Sequence, residues 1–198
     1  MTGQLPLVRV FTMSSPAAPT AARNIVRRFG RNRKASAAVE FALVAPVFFA
    51  LLFAIVETAL VFFASQILET ITQESARQIM TGQSQAANNT AATFITNVVC
   101  GQAQPVLDCN NISVDVESDP AQFSNLNITN PVTNGGFDPT KLKFSPGGSC
   151  SVVTVTLYYP WQMIVTGLGY NISNLKGNIR LLSATAAFRN EPYNGACS

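Results

Sequence analysis

The sequence predicts an α+β protein: one long N-terminal helix leading into a small disulfide-bonded domain with an antiparallel sheet. Three observations carry that expectation. The run Phe41–Ala64 (FALVAPVFFALLFAIVETALVFFA) holds a single charged residue, Glu57. All four cysteines, Cys100, Cys109, Cys150 and Cys197, lie after that run. Ile112–Glu117 alternates apolar and polar residues, and Ser151–Tyr159 (SVVTVTLYY) is dense in β-branched and aromatic residues, which is the signature of strands.

The chain divides into a basic leader (1–35), a long helix (36–82) whose membrane-spanning part is about 41–64, and an exported domain (83–198). As a helix, the apolar run spans roughly 36 Å, enough for a hydrocarbon core of ~30 Å. It is too long for the core of a cleavable secretory signal, and soluble helices are seldom apolar on every side over such a length. Past Ser65 the pattern changes. Ile67, Leu68, Ile71 and Ile79 recur at helical spacing among Glu69, Gln73, Glu74 and Arg77, which predicts an amphipathic continuation of the same helix. Pro46 is placed to kink the helix, and Gly82 to stop it.

In the domain, residues 88–99 read as a short helix with Phe94, Ile95, Val98 and Val99 inward. Residues 120–149, rich in Asn, Pro, Gly and Thr, read as loop. Pro160 is expected to end the strand that begins at Ser151, and Asn178–Arg189 to form the last strand.

Charge is distributed as unevenly as hydropathy. Seven of the thirteen Lys and Arg residues precede position 35, and no acidic residue precedes Glu40. Beside a membrane-length apolar run, such a flank is held in the cytoplasm. That reading is preferred to nucleic-acid binding, the other common use of clustered cations. An even number of cysteines confined to the far side of the run fits disulfides in an oxidising compartment. Of three connectivities, the short loop favours Cys100–Cys109, leaving Cys150–Cys197; such a loop stabilises by roughly 3 kcal/mol on the chain-entropy model.

Chemistry is scarce. The chain has no histidine, which removes Ser-His-Asp and Cys-His arrangements, and it has no CxxC pair, so neither a metal nor another cofactor is expected. No phosphate-binding glycine loop is present. The exported carboxylates Asp108, Asp115, Glu117, Asp119, Asp138 and Glu191 read as solubilising surface groups. The chain is therefore not expected to be an enzyme. The informative residues are Glu40, at the entry of the apolar run, and Glu57 within it, where a carboxylate costs ~3 kcal/mol on insertion scales and calls for a partner.

The stretch Ala35–Pro46 (ASAAVEFALVAP) resembles the N-terminal motif of the TadE-like family, pseudopilins of the Tad (Flp) type IV pilus system. The basic residues before it, and the apolar run whose second glutamate follows Ile55 and Val56, complete a pattern covering roughly residues 33–64. The ending Phe188–Tyr193 (FRNEPY) is also similar to endings in this family. The resemblance implies a pilin-like helix and cleavage by a prepilin peptidase between Ala35 and Ser36, which makes Glu40 the fifth mature residue; this chain has Ala35 where the family's usual residue is glycine. It also implies an inner-membrane protein with a cytoplasmic N-terminus and a periplasmic domain, whose partners are the membrane, the peptidase, other pilins or pseudopilins and Tad assembly proteins, and which is associated with the pilus. Ser36 and Glu40 are i and i+4 on one helix face, so the amine freed by cleavage is placed to pair with Glu40 or with a neighbour's glutamate. Glu40 and Glu57 are thus the expected helix-pairing residues. Two rival expectations remain: an uncleaved, TadG-like anchored scaffold, and an exported binding or adhesion domain for which the helix is only a tether.

Overall fold

Helix α1 (Arg33–Met80) is built from Ala, Leu, Val and Phe and carries one proline, Pro46, through which it continues. A proline at that position withdraws the donor that the carbonyl of Ala42 would otherwise receive. The computed structural model describes residues 33–126, 128, 130–165, 170–193 and 197, with side chains from Ala37 onward. The basic leader expected at 1–35 thus lies almost wholly outside the described residues. The helix begins at Arg33 rather than at Ser36, and it ends at Met80, close to the expected stop.

Residues up to Phe49 and residues from Ala50 onward form two compact units. In the first, every described side chain of α1 is exposed or half-buried. In the second, the first buried helix residue is Ala54, and burial then recurs on one face through Val61, Ala64, Leu68, Ile71 and Ile79. Burying a large aliphatic side chain stabilises by about 1.5–3 kcal/mol, so packing rather than helix propensity holds this half of α1 in place. The hydroxyls of Thr58, Ser65 and Thr72 donate to the carbonyls four residues earlier, at 2.7, 2.9 and 2.7 Å. Such bonds let polar residues lie within an apolar helix without an unsatisfied donor.

That face packs on a three-stranded antiparallel sheet of order β1–β4–β5, with β1 Ser113–Asp119, β4 Val152–Gln162 and β5 Ile179–Arg189. Val116 pairs with Val155, and Val155 with Ala186, which sets the core side of all three strands. Val153, Leu157, Tyr159 and Leu182 join the same core, together with Phe94 and Val99 from the helical stretch that follows α1 and Leu107 from the turn after it. That stretch runs through Ala91–Phe94, Ile95–Val99 and Cys100–Ala103, four residues beyond the expected 88–99, and it starts on a capping box made by Thr90 and Thr93.

Strand β4 does not stop at Pro160 as expected. It continues to Gln162, with Pro160 opposite Leu181. The reason is positional. Strand β1 ends its pairing at Ser113–Tyr158, so Pro160 lies where β4 has a neighbour on one side only, and a missing N–H on the open side costs no ladder bond.

The segment 120–149 is mostly irregular, as expected, but it contains one small hairpin, β2 (Val132–Thr133) and β3 (Gly136–Phe137). Its two-residue turn, Asn134 and Gly135, has φ of 52° and 76°, the paired positive values of a type I′ turn. This segment also covers the second face and the open edge of the sheet. The Phe137 ring lies 5.6 Å from that of Tyr158. Val116 donates to Lys143 O and accepts from Ser145 N, both at 2.8 Å, so residues 143–145 close the edge of β1.

Two carboxylates expected on the surface are therefore buried, Asp115 and Glu117. Asp115 Oδ1 accepts from Lys143 N at 2.8 Å, and Lys143 Nζ lies 3.3 Å from Glu117 Oε1. Desolvation pushes the Asp115 pKa up, offset in part by the Lys143 N–H.

Cys100 is bonded to Cys109 and Cys150 to Cys197, closing loops of 9 and 47 residues. The FRNEPY ending clasps the far end of α1. Glu191 N donates to Met80 O at 2.9 Å, and Asn190 Nδ2 donates to the carbonyls of Pro146 and Gly148 at 3.0 and 2.8 Å. Gly82, which stops the helix at φ 78°, lies under the Tyr193 ring so closely that an added Cβ would come within 2.7 Å of it.

Gly82→Ala is expected to lose at least about 1 kcal/mol, because the left-handed backbone is strained for any side chain and the Tyr193 ring must move; chemical unfolding in detergent measures it. The raised Asp115 pKa gives stability that is present below the ordinary carboxylate value and lost as pH rises through the folded value. Asp115→Asn keeps the bond from Lys143 N and abolishes this loss. The stability difference between variant and wild type is expected to grow in the variant's favour from roughly pH 3 to pH 6, read from thermal midpoints across that range.

Candidate functional site

The residues singled out by the sequence lie on α1, and the structure treats its two glutamates differently. Glu40 is exposed, in a stretch from Ala37 to Phe53 where no residue is buried. Ala35 and Ser36 lie in the first turns of the helix, and their side chains are outside the described residues. Glu57 is 5% exposed, although it is a carboxylate in an apolar run.

The donors that make this burial tolerable come from the segment just after β4. Ile164 N donates to Glu57 Oε1, and Val165 N donates to Oε2 at 2.9 Å. One carboxylate thereby takes two successive main-chain N–H groups, a charge-assisted arrangement stronger than a pair of neutral hydrogen bonds. The next helix residue extends the same contact, since Thr58 Oγ1 is hydrogen-bonded to the Tyr170 hydroxyl. The sequence expectation for Glu57 is pairing with a partner helix or a neighbouring subunit. Here its oxygens accept within its own chain, because the connection after β4 brings two successive N–H groups to Glu57, the one glutamate of α1 that is buried among the described residues.

The long connection between β4 and β5 is anchored at further points. Met163 N donates to Asn178 O at 2.9 Å, and Arg180 Nη1 donates to Ile172 O at 3.0 Å. Between α1 and the start of β5 lies a cavity of about 360 Å³, lined by Thr58, Phe62, Ser65 and Arg180 among others, with Ile172 of the connection at its side. Sequence reasoning did not find Ile164, Val165 or Tyr170. Their role is carried by main-chain groups or by one distant hydroxyl, neither of which leaves a pattern in the sequence. The FRNEPY ending was noticed, but its clasp on Met80 and Gly82 was not.

The exposed part of α1 is apolar around its circumference. Phe41, Leu43, Val47, Leu51 and Ile55 are all more than half exposed. The helix is long and apolar enough to cross a membrane. In sequence, no Asp or Glu occurs between Asp138 and Glu191, while Lys141, Lys143, Lys176, Arg180 and Arg189 do.

Compared with known proteins, residues 35–77 match the family model described as TadE-like protein. No curated protein and no solved structure matches the chain. The matched segment takes in Ala35, Ser36, Glu40 and Glu57 and ends in the last turn of α1. It fits a component associated with the Tad pilus and with a membrane.

Glu57→Ala strips the acceptors from the Ile164 and Val165 amides and is expected to cost about 2 kcal/mol or more. Hydrogen exchange at those two amides is the readout, and faster exchange there with an unchanged rate in β1 marks the loss of this contact alone.

Proposed function

We propose that this chain, with its TadE-like segment at residues 35–77, is a minor pseudopilin-like component of Tad (Flp) pilus biogenesis. It acts by helix–helix association rather than by catalysis. The observation that carries the reading is the coincidence of that segment with a helix whose entry is apolar on every side and holds one exposed glutamate, Glu40. In this reading a prepilin peptidase cuts between Ala35 and Ser36. The cut removes the basic flank that holds the N-terminus in the cytoplasm, and it creates an amine one helical turn from Glu40. The helix then leaves the bilayer for a bundle with other pilins or pseudopilins, where the amine and a glutamate attract strongly in a low-dielectric setting. The domain is carried on the periplasmic side of the inner membrane or on the pilus.

The role of Glu57 narrows accordingly. Glu57 is buried and accepts from Ile164 and Val165, whereas Glu40 is exposed and is the better placed of the two to act between subunits. A second reading is favoured by Ala35, which stands where the family's cleavage motif has glycine: the chain stays uncleaved as an anchored assembly scaffold.

The mature N-terminus decides between them. Intact-mass measurement of the protein from cells with an active prepilin peptidase is expected to give a chain starting at Ser36. Glu40→Ala is expected to leave the cleavage position unchanged, with the mass lower only by the difference between the two side chains, and to reduce pilus assembly. A wild-type chain that retains residues 1–35 in such cells rules out the cleaved mechanism.

A further inference from the structure

Glu57 marks a boundary. Before it, Leu51, Phe53 and Ile55 are exposed apolar residues; after it, one face of the helix is buried on the sheet. The roughly 20 residues from Ala37 to Val56 rise ~30 Å as a helix, which is the thickness of a hydrocarbon core. A hydrocarbon core entered near Ala37 therefore ends near Glu57, and the exposed Leu60, Phe62 and Phe63 carry the apolar surface of α1 into the interfacial layer one to two turns further.

What the fold brings to this boundary is the connection after β4. Ile164 is 86% exposed, more than any other large apolar side chain among the described residues. It is held rigidly, because its own N–H and that of Val165 are fixed on Glu57. Irregular backbone near lipid is costly unless its N–H groups are satisfied, and the carboxylate satisfies two of them at the position where that matters. The same connection and the strand ends beside it carry the residue types that favour a membrane–water interface. Trp161 lies one residue before the end of β4, half-buried against the core and opposite Arg180 on β5; Tyr170 is bonded to Thr58; and Lys176 and Arg180 supply cations for anionic headgroups.

We propose that residues 161–165, with Tyr170, Lys176 and Arg180 as flanking contacts, are a lipid-interface seat: Ile164 enters the headgroup–acyl boundary of the bilayer that α1 spans, and the domain is held against the membrane surface by its own β4–β5 connection. The Glu57 carboxylate shapes the seat from within. This goes beyond the pilus reading and depends only on α1 lying in lipid.

The test uses a probe the chain already contains, because Trp161 is its single tryptophan. The full chain is placed in nanodiscs of phosphatidylcholine and phosphatidylglycerol carrying bromines either shallow or deep on the acyl chains. Shallow bromines are expected to remove more Trp161 emission than deep ones, and aqueous iodide is expected to remove little. Ile164→Asp is expected to abolish the lipid quenching and to open Trp161 to iodide, with far-UV circular dichroism unchanged, since the exposed side chain leaves no hole in the core. As a second variant, Lys176→Gln is expected to lower the quenching in phosphatidylglycerol discs and to leave it unaltered in pure phosphatidylcholine. Emission indifferent to brominated lipid overturns the proposal, whether iodide reaches Trp161 or a second protein copy shields it. A chain that does not co-elute with the discs overturns the membrane span itself, which separates that failure from failure of the seat.

Discussion

One helix has to satisfy two solvents. The apolar surface of α1 is exposed around its circumference up to Phe53, and from Ala54 one face is covered by a folded domain. The constraint that makes both possible in a single helix is the switch near residue 57. A glutamate there is unfavourable in lipid and equally unfavourable in an apolar core unless donors reach it. The Ile164 and Val165 amides meet that need, and in doing so they fix the register of the sheet on the helix. From Glu57 to Met80 the helix rises about 35 Å. An 11-residue strand such as β5 covers about 36 Å. One end of the helix–sheet contact is therefore pinned at Glu57 and the other at Met80, where Glu191 N closes the last turn.

The disulfides and the C-terminal clasp act on the second of these ends. Cys150–Cys197 ties the chain terminus to the entry of β4, and Asn190 holds the 146–148 turn beside it. Cys100–Cys109 closes the helical stretch that leads into β1. On the chain-entropy model the two loops together restrict the unfolded state by several kcal/mol. That is a large fraction of the stability of a domain this small. The clasp, the turn and the left-handed Gly82 meet at the far end of the helix, so the domain is closed there by covalent and main-chain contacts and at the other end by a carboxylate.

Functionally, this division separates association from attachment. The part of α1 that carries Glu40 has no buried residue, so its apolar surface is open to lipid or to other helices. The part that carries Glu57 is committed to its own domain. The pseudopilin reading needs both: an assembly helix and a domain fixed rigidly to its continuation.

The long helix, the strands near 113–119 and 152–162 and the α+β class were legible because each rests on local periodicity, which burial on one face imposes directly on residue order. The stop at Gly82 was legible because only a residue without a side chain is comfortable at its φ. Three features were not. The burial of Asp115 and Glu117 depends on an irregular 30-residue segment folding over the sheet, and irregular backbone leaves no period to read. The passage of β4 through Pro160 depends on where β1 ends, a property of a different strand. The partner of Glu57 is a pair of main-chain amides more than 100 positions away, and every residue has such amides. The sequence alone determined that a glutamate in an apolar helix had to be satisfied, since burial of an unpaired carboxylate is too costly in lipid or protein. Only the tertiary structure decided that its own chain satisfies it, because the supply of donors there is set by how the sheet ends against the helix and not by the identity of any side chain.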